Sequence, residues 1–443
     1  MRNIKLTLWG FLILTTGLWL VSDTLFSIPY QFFALRSSLI NYTGLIGIGV
    51  MSMAMILAVR PVFFESFLGG LDKMYRLHKW LGITGLIFAV THWLWTQVPK
   101  WLSGLGWIES PARHGSPAEQ TSVVLQFLRS QRGLAEVLGE WAFYAAVVLI
   151  VLALIKRFPY RLFFKTHRLL AIVYLILVFH SIILMNSGYW SQPIAPLMGI
   201  LMLAGSVAAL VILFRKVGHK RWMVGLIDGI TYHKDIRVLE VIIQLKGNWG
   251  GHQAGQFAFV TFDEKEGPHP FTITSSWSGD GRMFFVIKEL GDYTNTLMAT
   301  LKLGDPVTVE GPYGQFNFSG NKPRQIWVGG GIGITPFIAR MQSLAKHPDG
   351  KTIDLFYTTA LPDTAAIAKL FTLAEEAKVD LHILVDATDG FLNVERICQT
   401  VPEWASSDIW FCGPSRFGQN LRCDFNARGL PSEDFHQELF AMR

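Results

Sequence analysis

The sequence predicts a multi-domain protein: a six-helix transmembrane bundle, then a small β-barrel, then an α/β domain with a parallel sheet. Three observations predict it. Apolar residues make up 51% of the chain and charged residues only 16%, and the long uncharged runs lie almost entirely before about residue 214. From about residue 222 the pattern changes to short alternating runs punctuated by Gly and Pro, the signature of strands. Near residue 326 a hydrophobic run enters a glycine-rich turn, and beyond it helix and strand patterns alternate.

Runs of roughly 17–25 apolar residues are long enough to cross a bilayer, and they occur near 7–25, 39–59, 77–97, 139–155, 166–186 and 194–214. The first follows only Arg2 and Lys5 and lacks a small-residue cleavage site, so it reads as a retained span. Basic residues gather on one side: Arg60, Lys73 and Arg76; Lys156, Arg157, Arg161 and Lys165; Arg215, Lys216, Lys220 and Arg221. The positive-inside rule then puts both termini and the whole C-terminal half in the cytoplasm. This clustering accounts for the net charge of +6 through lipid headgroups and topology, and no nucleic-acid motif accompanies it. The long segment 98–138, with Trp101 and Trp107, reads as an outer loop whose Val123–Leu138 stretch rests on the membrane surface. Cys398, Cys412 and Cys423 have no metal-type spacing, which argues against a disulfide framework or an iron–sulfur cluster.

Ionisable residues inside spans are costly and mark function. The third span carries His78 and His92, and the fifth carries His167 and His180. Each pair has one member near either end of its helix, about 20 Å apart by helix rise. With both helices running the same way, His78 faces His167 and His92 faces His180. Two facing neutral imidazoles suit a six-coordinate haem iron, so two levels suit two stacked b-type haems. A single such histidine reads equally well as interfacial; the matched spacing on two helices is what points to metal. The fourteen-residue step from His78 to His92 keeps both within about 40° of one face, whereas the thirteen-residue step from His167 to His180 leaves about 140°. A π-bulge or other local distortion is therefore expected in the fifth span. Arg76, Lys79, Lys165 and Arg168 suit haem propionates and topology equally well.

In the soluble half, Val238–Gln244, Phe257–Phe262, Met283–Ile287 and Pro306–Glu310 read as barrel strands. Between them stands His269-Pro270-Phe271-Thr272-Ile273-Thr274-Ser275-Ser276. Alternating rings and hydroxyls can lay an aromatic face on a flavin while the hydroxyls bond its edge and phosphates. Gly291-Asp292-Tyr293-Thr294 reads as a helix opening whose free N–H groups favour a pyrophosphate. Ile326-Trp327-Val328 then runs into Gly329-Gly330-Gly331-Ile332-Gly333-Ile334-Thr335-Pro336, a strand–turn–helix that cradles phosphates. Ile353–Tyr357, a helix at 364–377, Leu381–Val385 and Ile409–Phe411 complete an α/β pattern ending at Cys412-Gly413-Pro414. Cys412 lies where open sheets bind ligands, and is also small enough to be an ordinary buried hydrophobe.

Together these motifs resemble the ferric reductase and NADPH oxidase superfamily over nearly the whole chain. The resemblance implies a transmembrane haem domain at 1–216, an FAD-binding β-barrel at 220–321 and an NAD(P)-binding α/β domain at 322–443, the last two ferredoxin-reductase-like. It implies that His78/His167 ligate an inner haem and His92/His180 an outer one. His269, Pro270, Phe271, Thr272 and Ser275, with Thr274 and Ser276 beside them, would hold FAD, and Gly291 and Thr294 its phosphates. Gly330, Gly331, Gly333, Thr335, Pro336, Cys412, Gly413 and Pro414 would hold the nicotinamide dinucleotide, with Cys412 near the reacting ring. Phe440 would stack on the flavin. The implied protein is a multi-pass enzyme of the inner (plasma) membrane, passing electrons from NADPH or NADH to a ferric complex, to dioxygen or to a periplasmic redox partner. Tyr357-Thr358-Thr359-Ala360-Leu361-Pro362 lacks the Arg expected of NADPH users, which leaves NADH at least as well supported.

Overall fold

The computed structural model of the chain describes residues 2–23, 32–108, 123–155 and 157–438. Contacts divide the chain into two units that part near Val217 and Gly218.

The first unit is a multi-pass membrane domain. Its helices are α1 (Arg2–Ser22), α2 (Phe32–Ala58), α3 (Val62–Leu68), α4 (Leu71–Gly104), α5 (Val123–Ser130), α6 (Arg132–Leu154), α7 (Tyr160–Arg168), α8 (Leu170–Leu184) and α9 (Ile194–Leu213). Six stretches among the described residues are long and apolar enough to cross a membrane, α7 and α8 counting as one. Trp19, Ile48, Met55, Tyr174, Met198 and Met202 are buried together where α1, α2, α8 and α9 meet. Small residues let these helices approach, as in lipid-embedded packing generally: a Cβ on Gly205 would run into the Tyr174 hydroxyl.

Two expectations need correction here. The fourth span begins at Arg132, so the stretch read as a surface helix to Leu138 is divided: only α5 stands apart, and the rest enters the membrane helix. Arg113 and His114 of the outer loop lie outside the described residues. The distortion of the fifth span exists, but it is a tightening, not a π-bulge. Leu169 N–H donates to Thr166 O (3.0 Å) and Ile172 N–H to Leu169 O (3.0 Å), both i→i−3 bonds. Such a turn adds rotation per residue. Overwinding thirteen residues to about 3.25 per turn completes four turns and brings two side chains onto one face.

In the second unit, β1 (Trp222–His233), β2 (Val238–Lys246), β3 (Phe257–Thr261), β4 (His269–Thr272), β5 (Arg282–Lys288) and β6 (Pro306–Tyr313) form an antiparallel sheet ordered β4-β3-β6-β1-β2-β5. A bridge between Ile273 and Phe285 joins the two ends and closes it into a barrel. Alternate residues Val241, Ile243, Met283, Phe285, Val307 and Val309 fill its interior, as the two-residue strand period requires. After α10 (Leu297–Thr300) come β7 (Arg324–Gly330), α11 (Thr335–Lys346), β8 (Thr352–Thr359), α12 (Thr364–Ala377), β9 (Asp380–Val385), α13 (Asp386–Asp389), α14 (Val394–Thr400), β10 (Ser407–Cys412), α15 (Ser415–Ala427) and β11 (Phe435–Gln437). These strands make a parallel sheet ordered β11-β10-β7-β8-β9. Strand order reverses between β7 and β10, the place where open α/β sheets bind ligands.

Candidate functional site

The four membrane histidines meet in two pairs. Ring centroids of His78 and His167 are 5.8 Å apart, and those of His92 and His180 are 6.3 Å apart. Two metal–nitrogen bonds of about 2 Å each, plus the two half-rings, put facing imidazoles about 6 Å apart. The second layer of contacts fits the same use. His78 Nδ1 donates to Ala54 O (2.9 Å), His92 Nδ1 to Ile40 O (3.0 Å) and His180 Nδ1 to Ala135 O (2.8 Å). A backbone carbonyl can only accept, so each ring carries its proton on Nδ1 and keeps the Nε2 lone pair for a metal. His167 departs from this pattern: its Nδ1 is buried without a hydrogen-bond partner, and its ring lies on Phe163 instead (5.0 Å, 22°). The donor set therefore fits bis-imidazole haem at both levels.

Glycines shape the His92/His180 level. A Cβ on Gly139 would collide with the His180 ring, and one on Gly44 would come within 3.3 Å of His92 Cε1. Gly139 stands one turn beyond Ala135 on α6, so the same groove that offers the carbonyl also admits the ring. Arg36 ties α2 to α4 at this level, donating to Trp95 O (3.1 Å) and Thr96 O (3.3 Å). None of these was read from the sequence. A backbone acceptor leaves no mark in it, and a helical glycine is common enough to pass unnoticed.

In the barrel, His269 and Phe271 project to the same face of β4. His269 stacks on Tyr293 (4.3 Å, 24°), and burial pushes its pKa down to about 4, so the ring is neutral at ordinary pH. The following residues are held from outside the motif. His252 Nε2 donates to Ser275 O (2.9 Å), Ser276 N–H donates to Gln342 Oε1 on α11 (2.9 Å), and Phe284 N–H donates to Ser275 Oγ (3.3 Å). Thr274 N–H pairs with Phe284 O (2.8 Å). Gly291 opens a run of turns rather than a helix, because Thr294 Oγ1 accepts the N–H groups of Leu290 (3.0 Å) and Gly291 (3.1 Å); α10 follows only at Leu297. His252→Ala is expected to weaken FAD binding about tenfold by freeing the Ser275 carbonyl. Flavin fluorescence titration of the full-length protein checks this.

At the sheet's switch point the glycine loop and the Cys-Gly-Pro turn lie back to back. Cys412 is level with Gly329. A Cβ on Gly330 would approach Pro414 within 3.0 Å, one on Gly413 would come within 3.1 Å of Gly330, and one on Gly333 would strike the Cys412 carbonyl. Gly333 is thus required by the protein's own backbone, while Gly330 and Gly413 sit at tight contact distance. Gly331 differs: its φ is +56° and a Cβ there would meet nothing within 4 Å, leaving backbone open to an incoming ligand. Thr335 and Pro336 begin α11, which carries no side-chain cap; Thr335 N–H donates to Ile332 O and Pro336 has no N–H, so a phosphate at this helix end would lean on the glycine loop's backbone as well. Cys412 is buried in the domain core. Burial and the Glu438 carboxylate push its thiol well above the ordinary range, so it stays protonated. Glu438, unread in the sequence, thus joins this corner. Phe440 lies outside the described residues.

Residues 43–178 match the family model described as Ferric reductase like transmembrane component, and residues 230–317 match the one described as FAD-binding domain. The chain is 30% identical over 170 residues to NADH-cytochrome b5 reductase 2 of Scheffersomyces stipitis, covering 35% of this chain and 57% of that one. It is 28% identical over 213 residues to an NADPH oxidoreductase of Mycobacterium tuberculosis, covering 45% and 55%. The chain thus spans about half the length of these curated relatives. Among solved structures, flavohemoglobin from Malassezia yamatoensis with bound FAD and heme has a TM-score of 0.49 at 17% identity, over 92% of this chain and 98% of that one. A ferric-reductase-like transmembrane component running into an FAD-binding domain gives this chain the ferric reductase and NADPH oxidase type of architecture.

Proposed function

We propose that this NAD(P)H-dependent oxidoreductase moves electrons from a cytoplasmic nicotinamide through FAD and two b-type haems to a ferric complex across the membrane. The observation that carries the reading is the pair of imidazole levels, with centroids 5.8 and 6.3 Å apart, on stretches long and apolar enough to cross a membrane. When bound, the flavin turns a two-electron donor into one-electron steps and haem iron carries single electrons through lipid. The chain's own residues hold these groups in order. His78 and His167 would ligate the cytoplasmic-side iron, and His92 and His180 the other, with the Ala54, Ile40 and Ala135 carbonyls holding three rings in the ligating tautomer.

In the soluble unit the neutral His269 ring and Phe271 would flank the flavin, while Thr272, Ser275 and Thr294 supply polar contacts. The α11 N-terminus would take the dinucleotide's pyrophosphate beside Gly331. Cys412, protonated and buried, would serve as a neutral contact rather than a nucleophile, and Phe440 would cover the flavin ring. The basic clusters support an inner-membrane protein with both termini in the cytoplasm. The ferric acceptor is supported by the description of the matching membrane family.

The test uses FAD-replete protein purified in detergent under anaerobic conditions. A nicotinamide is expected to reduce the haem Soret and α bands, and ferric citrate is expected to reoxidise them faster than dioxygen does. Bands that stay oxidised while FAD is bound would sink the electron path. Faster reoxidation by dioxygen, or by neither acceptor until a periplasmic protein is added, would replace the acceptor.

A further inference from the structure

We infer that the nucleotide site is built for NADH and against the 2′-phosphate of NADPH, an inference that rests on reading the α/β domain as the nicotinamide site. With a pyrophosphate on the α11 N-terminus, the two nucleosides fall on opposite sides of β7. One lies over β10 and Cys412; the other lies over the ends of β8 and β9. The end of the second strand after the glycine turn is where such folds read the adenosine ribose. Here that strand is β8, and Thr359 at its end is level with Val385 at the end of β9.

The two segments that form this edge, 358–363 and 385–391, contain Asp363, Asp386 and Asp389 and no Lys, Arg or His. Each carboxylate has a distinct position. Asp363 is the N-cap of α12, its Oδ1 accepting from Ala366 N–H (3.0 Å). The helix terminus on this edge best able to bind a phosphate is therefore occupied by an anion of the protein itself. The His233 ring of β1, which reaches Asp363, is faced by two carboxylates: Glu240 Oε1 at 3.3 Å and Asp363 Oδ2 at 3.8 Å. Asp389 Oδ2 accepts from Val385 N–H (2.8 Å) and Thr388 Oγ1 (3.2 Å), which holds the turn. Arg396 reaches this turn only to donate to the Asp389 carbonyl (2.7 Å). Asp386 is left to accept the ribose hydroxyls, which an ionised carboxylate can do because it offers acceptors alone. A 2′-phosphate in place of the 2′-hydroxyl removes that donor and sets a dianion against Asp386 and Asp363.

The test is stopped-flow bleaching of the bound flavin in anaerobic full-length protein, with NADH and NADPH as separate reductants. NADH is expected to exceed NADPH at least tenfold in rate constant over Kd, as one close like charge roughly requires. Asp363→Ser, which keeps a capping oxygen, should raise the NADPH value about fivefold, and Asp386→Asn should weaken NADH about tenfold. Equal efficiencies, a preference for NADPH, or a ratio unmoved by both substitutions overturns the inference. Failure of both nucleotides to bleach a bound flavin is a different result: it removes the nicotinamide site itself.

Discussion

Replacing Gly139 by alanine is expected to cost the protein the haem proposed at the His92/His180 level. Glycine is the poorest ordinary helix former, and alanine in its place normally stabilises a helix by roughly 0.5–1 kcal/mol. The opposite result is expected here because the added Cβ falls within the His180 ring. That ring cannot swing aside cheaply: its Nδ1 is bonded to Ala135 O (2.8 Å) on the same helix face. Moving it breaks that bond and takes Nε2 away from His92. Haem content per protein should fall from two towards one while FAD content stays unchanged, as pyridine haemochrome and flavin absorbance would report. Gly133 on the same helix is the control, since a Cβ there meets nothing within 4 Å. If both alanine variants keep two haems, Gly139 does not position His180.

The second large effect is expected at Gly333. Its Cβ would meet the Cys412 carbonyl and, at 2.8 Å, the Gly413 nitrogen. These are backbone atoms at the C-terminal end of β10, so no rotamer change relieves the clash. Gly333→Ala must therefore pull the glycine loop away from β10. A displacement of about 1 Å in a site that aligns two reacting rings is worth roughly a hundredfold in rate. Reduction of bound flavin by nicotinamide should slow by about that factor, with FAD still bound to the barrel. Gly331→Ala strains only its own left-handed backbone, a cost of about 1–2 kcal/mol, and should slow the reaction less. A Gly333→Ala enzyme within tenfold of the parent would show that the two turns need not touch.

Much of this architecture was legible because its signals are local. A helix in lipid must be apolar over its whole length, since nothing around it satisfies polar groups, and so hydropathy located six spans. The α12 helix, expected at 364–377, occupies Thr364–Ala377 because an Asp N-cap and uninterrupted helix formers mark both ends. The first barrel strand, Trp222–His233, was not read, although it is the longest. Its exposed and half-buried positions blur the two-residue period, and Gly225 and Gly229 break up the run. Gly291 to Thr294 was read as a helix opening because its composition suits one; the Thr294 hydroxyl, by taking two N–H groups, made it a turn.

What the sequence alone determined is the order of the parts and the identity of the groups that bear chemistry: six spans, paired histidines, the aromatic-hydroxyl strand, the glycine loop and the Cys-Gly-Pro turn. These follow from periodicity and residue type, which a linear string records. Only the tertiary structure decided how each group is held. The Ala54, Ile40 and Ala135 carbonyls select the histidine tautomers, the tight turn at Leu169 brings His167 and His180 into phase, and Gly139 and Gly333 admit neighbours at contact distance. Every residue has a carbonyl and any helix can overwind by one turn, so composition does not single these out. They become specific when distant segments pack, because burial then leaves each polar group few partners and each glycine one neighbour.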